Sequence, residues 1–106
     1  MDTSPIRVEL RRTGGIAGRE ARWRADTARM PAHQAHDLRR LIDTLPGLGL
    51  GHNLWPFPPP AADEVVYHLT VARDGIDRTY VFHDSTMPRQ VRDLVNLVSA
   101  PVNRAF

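Results

Sequence analysis

Apolar and charged residues alternate with period two near the start of the chain, where Ile6-Arg7-Val8-Glu9-Leu10-Arg11 reads as a half-buried strand. A glycine-rich connection follows, Thr13-Gly14-Gly15-Ile16-Ala17-Gly18, suited to a hairpin loop. Alternation then resumes in Glu20-Ala21-Arg22-Trp23-Arg24-Ala25, with Ala21, Trp23 and Ala25 on one face. A one-residue slip would turn every apolar side chain of a strand outwards, so the pattern predicts that Trp23 joins Ile6, Val8 and Leu10 on the core side. Beyond Met30-Pro31 the period changes. Ala35, Leu38, Leu41, Ile42 and Leu45 recur at three- and four-residue steps, the apolar stripe of a helix, with Arg39, Arg40 and Asp43 on its other side. Pro46-Gly47 ends it.

The same succession returns in the second half. Val65 to Ala72 reads as a strand whose Tyr67, Leu69 and Val71 face one way and Val66, His68 and Thr70 the other. Asp74-Gly75 supplies a turn, and Arg78 to His83 returns as the antiparallel partner. Met87-Pro88 opens a second helix with Val91, Leu94, Val95 and Val98 as its buried stripe, and Pro101 ends it, leaving a short tail. Both helices follow an acidic residue and a hydroxyl residue, Asp26-Thr27 and Asp84-Ser85, and then Met-Pro. Duplication and repeated use of proline at helix starts account for this echo equally well. The expected fold is α+β: two layers, a four-stranded antiparallel sheet with two helices on one face, in the order β-β-α-β-β-α. With 106 residues, the expectation is a single domain spanning 1–106.

Between the two halves lies the segment that no period explains, the loop 46–63. It carries Leu48, Leu50, Leu54, Trp55 and Phe57, yet its glycines and prolines forbid a regular element. Apolar residues in such a loop either fold back over the core or meet a partner. Pro56, Pro58, Pro59 and Pro60 stiffen it, which lowers the ordering entropy of binding.

Composition narrows the function classes. Apolar residues make up 42% and charged residues 25%, ordinary for a folded protein in water. There is no cysteine, so disulfides, thiolate ligands and thiol chemistry are excluded. No apolar run resembles a signal sequence or a membrane span, and the expected location is cytoplasmic. All 14 cationic residues are arginine, but the formal charge is only +2. Arg7, Arg11, Arg12, Arg19, Arg22 and Arg24 are expected to line one solvated sheet face rather than a nucleic-acid site.

Candidate chemistry is sparse. His33-x-x-His36 has the spacing of two ligands on a helix, with His52, His68 and His83 elsewhere, but a structural site needs further ligands, and no metal or cofactor is expected. His83-Asp84-Ser85 is not a relay, because adjacency does not put a base within reach of a nucleophile; Asp84 or Ser85 is expected to help cap the second helix. The Gly14-Gly15-Ile16-Ala17-Gly18 run joins two strands and offers no helix N-terminus to a phosphate. No residue is assigned a catalytic role.

Several local signatures, in this order, resemble the emfourin family of protein inhibitors of thermolysin-like metallopeptidases. They are Arg11 to Gly18, the strand leading to Asp26-Thr27, Leu38-Arg39-Arg40-Leu41-Ile42, Tyr67-His68-Leu69-Thr70-Val71, Asp74-Gly75, and Phe82-His83-Asp84-Ser85 before Met87-Pro88. The resemblance runs from about Ile6 to Val98; the family pattern has an aromatic where Ile16 stands, and a shorter loop after the first helix. It implies a cytoplasmic, non-catalytic inhibitor, monomeric when free, that binds a thermolysin-like metallopeptidase near its cleft. Such enzymes cleave before bulky apolar side chains, which makes Leu48, Leu50, Leu54, Trp55 and Phe57 the candidate contacts, Leu48 and Leu50 foremost. Gly15 and Ile16 of the first hairpin are the candidate second contact. The alternative is a non-catalytic interaction module, or an adaptor that dimerises through the same loop.

Overall fold

The computed structural model describes residues 4–15, 20–45 and 64–105. Among these residues five strands and two helices follow in the order β1 (Arg7–Thr13), β2 (Ala21–Asp26), α1 (Ala32–Thr44), β3 (Val66–Arg73), β4 (Ile76–His83), α2 (Arg89–Val98) and β5 (Arg104–Ala105). The strands form one antiparallel sheet in the order β4-β3-β1-β2-β5. The α+β architecture expected from the sequence is present with one more strand. Residues after Pro101 make a short 3-10 turn and then pair Arg104 with Trp23 and Ala105 with Arg22. Two residues are too few to carry a period, so this strand was invisible in the pattern.

Alternation and register agree throughout. Val8 and Leu10 of β1, Ala21, Trp23 and Ala25 of β2, Tyr67, Leu69 and Val71 of β3, and Tyr80 and Phe82 of β4 are buried on one face. Leu38 and Ile42 of α1, Leu45 just beyond it, and Val91, Leu94, Val95 and Val98 of α2 close over that face in the same apolar cluster. The opposite face of the sheet carries Arg7, Glu9 and Arg11 of β1, Arg22 and Arg24 of β2 and His68 of β3, while Arg12, Arg73, Arg78 and Arg104 stand at the margins of the core-side face.

The helix starts differ from expectation. Pro31 and Pro88 are themselves the N-cap residues, and neither helix receives a side-chain cap. The Asp-Thr and Asp-Ser pairs instead build short 3-10 turns ahead of the helices, Thr27–Arg29 and Asp84–Thr86. Asp26 accepts a hydrogen bond from the Ala28 N–H at 2.9 Å, while the Thr27 hydroxyl accepts from the Ile6 N–H at 2.9 Å. Asp84 does not cap α2; it accepts from Arg92 within that helix at 2.8 Å. Arg39, which the helical period puts on the solvent side, is half-buried, because its guanidinium donates to the Ser4 carbonyl at 2.9 Å and to the Thr27 hydroxyl at 3.3 Å.

Candidate partner-binding site

Of the residues predicted to meet a partner, Gly15 lies within the described structure; Ile16, Leu48, Leu50, Leu54, Trp55 and Phe57 lie outside the described residues. The structure does fix the framework from which those residues are presented. Leu45, the last described residue before the 46–63 loop, is buried, and its N–H donates to the Ile42 carbonyl at 3.1 Å. On the far side of the loop, Glu64 and Val65 lead into β3.

Sheet order decides what lies beside that exit. β1 is a central strand, paired with both β2 and β3, and its last residue Thr13 is opposite Val66. Gly14 and Gly15 therefore turn away beside Glu64 and Val65. Both glycines hold positive φ, 89° and 85°, a conformation that costs an L side chain about 1–2 kcal/mol. At Gly14 there is a second reason for glycine: a Cβ there would sit inside van der Waals contact of the Glu64 carbonyl oxygen. The hairpin turn and the exit of the 46–63 loop are thus pressed together at one end of the sheet.

Glu64 also ties that exit to the junction between β4 and α2. Its carboxylate accepts a hydrogen bond from the Ser85 hydroxyl and lies 3.3 Å from Nδ1 of His83. The Val65 carbonyl accepts from the Asp84 N–H at 3.0 Å. His83 Nε2 is buried with no hydrogen-bond partner among the described residues. The cluster contains serine, histidine and glutamate, but the carboxylate stands between the other two. The serine proton is directed to Glu64 rather than to the imidazole, so the serine–histidine contact of a hydrolase relay is not made. What the arrangement does is hold the loop exit in place. Sequence reasoning missed Glu64, because a carboxylate at the start of a strand reads as solvated.

Charges on the sheet face turned away from the helices are ordered by register. Arg7 is opposite Asp26 and Glu9 opposite Arg24, with nitrogen–oxygen separations of 3.7 and 3.5 Å. The third pair, Arg11 opposite Arg22, is like-charged, and on its other side Arg11 faces His68. Arg22 turns to Glu20 at 2.6 Å, and that hydrogen bond raises its pKa above the ordinary arginine value. Arg12 departs from expectation: it belongs to the core-side face, with its guanidinium 5.4 Å from the Trp23 ring centre, and Arg104 approaches the same ring at 5.3 Å. Arg19 lies outside the described residues.

His68 titrates below the ordinary histidine value of 6.5, first because it is partly buried and second because Arg11 faces it. The folded chain therefore resists a proton that the unfolded chain accepts. Stability from this residue is complete above the unfolded pKa and declines as pH falls from about 6.5. The expected result is that His68→Gln loses less stability than the parent between pH 7 and pH 5, measured by urea unfolding. Equal losses would show that His68 contributes nothing to the acid limb.

Among the described residues no three histidines, aspartates or glutamates are grouped so as to hold a metal. His33 and His36 are exposed on α1, and His52 lies outside the described residues. Among the described residues no helix is long and apolar enough to cross a membrane.

A family model described as Emfourin matches residues 10–99. A solved structure of emfourin (M4in) from Serratia proteamaculans, an M4 family peptidase inhibitor, is 17% identical; the match covers 100% of this chain and 95% of that one, with a TM-score of 0.47. No curated protein matches the chain.

Proposed function

The chain belongs to the Emfourin family, and on that premise we propose that it is a protein inhibitor of thermolysin-like zinc metallopeptidases, binding at or near their active cleft. The family match across residues 10–99 carries this reading. The catalytic zinc belongs to the target, and inhibition requires no reaction at any residue of this chain. In this reading the 46–63 loop offers an apolar side chain, Leu48 or Leu50 first and Leu54, Trp55 or Phe57 after them, to the pocket that takes the bulky residue of a substrate. Gly15 and Ile16 form the second contact. The packing of Gly14 against Glu64 supports the pairing of these two segments, since it sets the hairpin turn beside the loop exit. A framework fixed before binding leaves less chain to order on association. The protein acts as a cytoplasmic monomer of one domain.

The test is to mix the purified protein with a thermolysin-like peptidase and follow cleavage of a small peptide substrate. Inhibition near stoichiometric concentration is expected, and full peptidase activity at excess protein would overturn the reading. Burying one such side chain contributes about 1.5–3 kcal/mol. Leu48→Ala and Leu50→Ala are therefore expected to weaken inhibition about 10- to 150-fold while Tm stays nearly unchanged. A large fall in Tm with unchanged inhibition would instead place these leucines over the core. A free protein that migrates as a dimer, and loses that state on Trp55→Ala, would favour the self-associating adaptor.

A further inference from the structure

We infer that the strand ends at the base of the first hairpin form a cationic docking patch, centred on Arg11, for carboxylate side chains on the rim of the target peptidase; the inference rests on the inhibitor reading. Register supplies the argument. On the face turned away from the helices the core pattern forces Arg7 opposite Asp26, Glu9 opposite Arg24 and Arg11 opposite Arg22. Two of these cross-strand pairs are complementary and one is repulsive. The repulsive pair is the one nearest the Gly14-Gly15 turn. The ion pairs among the described residues use Arg7, Arg22, Arg24, Arg40, Arg73, Arg92 and His83, and Arg11 is in none of them. Both cross-strand neighbours of Arg11 are basic residues, Arg22 and His68.

On the other face of the same strand ends, Trp23 holds the guanidiniums of Arg12 and Arg104 at 5.4 and 5.3 Å from its ring centre. Arg11, Arg22, Arg12 and Arg104 thus stand near the hairpin base on its two faces; among the described carboxylates nearby, Glu20 is engaged by Arg22, Glu9 also acts on Arg22, and Glu64 sits beside Gly14. Folding alone does not call for this arrangement: an acid at position 11 or 22 would complete the ladder that the other two pairs begin. An acidic partner would complete it instead. The patch is continuous with Gly15 and with the Glu64–Val65 loop exit, so the apolar loop and the arginines would meet one surface of the peptidase. Cationic groups at such a rim act chiefly on the rate of encounter and on its salt dependence.

The association rate of the wild-type chain and of Arg11→Gln with a thermolysin-like peptidase is measured from about 20 to 500 mM salt. Arg40→Gln, on the outer side of α1, serves as the control. Arg11→Gln is expected to slow association about three- to tenfold at low salt and to flatten its salt dependence, with Tm equal to or above that of the parent. Arg40→Gln is expected to match the parent. If the wild type inhibits and Arg11→Gln shows the same rate and the same salt slope, the docking patch is overturned while the inhibitor reading stands. If the wild type does not inhibit, both fall. Binding of a duplex oligonucleotide that Arg11→Gln abolishes, with peptidase association unaffected, would assign the patch to nucleic acid and overturn the proposal.

Discussion

Gly14→Ala is expected to destabilise the protein by at least about 2 kcal/mol and to weaken peptidase inhibition even where the variant remains folded. Two costs combine at this position. A φ of 89° disfavours any L side chain, and the new methyl group meets the Glu64 carbonyl oxygen, a main-chain atom that cannot swing aside. Relief requires moving either the hairpin turn or Glu64. Glu64 in turn is held by Ser85 and His83, and the following carbonyl of Val65 by the Asp84 N–H. Strain introduced in the first hairpin therefore reaches the exit of the 46–63 loop.

Gly15→Ala separates the two costs. Its φ of 85° is just as unfavourable, but among the described residues a Cβ there meets the Val65 side chain alone, at 3.5 Å, an ordinary contact. It should lose about 1–2 kcal/mol and disturb the loop exit far less. Urea unfolding of both variants, with inhibition assayed at a temperature where each is folded, compares the two effects. Equal stability losses would mean that the Glu64 carbonyl yields easily and that the turn and the loop are not mechanically joined.

These residues show what was legible in the chain and what was not. The strand faces and helix stripes could be read because burial on one side imposes a period, and each core residue predicted for the first three strands is buried. The turn glycines were legible as glycines but not as neighbours of Glu64. That contact depends on β1 lying between β2 and β3, a matter of strand order that local periodicity does not encode. The same applies to Arg11, an unremarkable member of an alternating strand until register sets Arg22 and His68 on either side of it. Arg39 fell on the solvent side of its helix by period, yet the segment around Ser4 crosses over it. Helix capping was misjudged for a related reason: Asp84 and Ser85 stand beside α2 in sequence, but Arg92 and Glu64 claim their side chains.

Trp23→Ala is expected to be the most damaging single change, lowering stability by about 3–5 kcal/mol and Tm by roughly 15 °C or more. Trp23 is 6% exposed and lies opposite Leu10 in β1, so its loss leaves a cavity at the β2 side of the apolar cluster. Proteins of this size have about 5–15 kcal/mol in total, so the variant would sit near the folding threshold. Packing is only part of the role. Trp23 also pairs with Arg104 across β5, and the guanidiniums of Arg12 and Arg104 cover its ring. Cation–π contacts of this kind contribute about 0.5–1 kcal/mol each at accessible sites. Trp23→Phe should fall between the parent and the alanine variant, because a smaller ring still fills part of the cavity and still receives the arginines. Deleting residues 101–106 tests the covering role directly. In a Trp55→Phe background, where Trp23 is the sole tryptophan, the truncated chain should show red-shifted emission and greater quenching by iodide. Unchanged emission would mean that α2 and the sheet shield the ring by themselves, and that β5 adds a strand without adding cover.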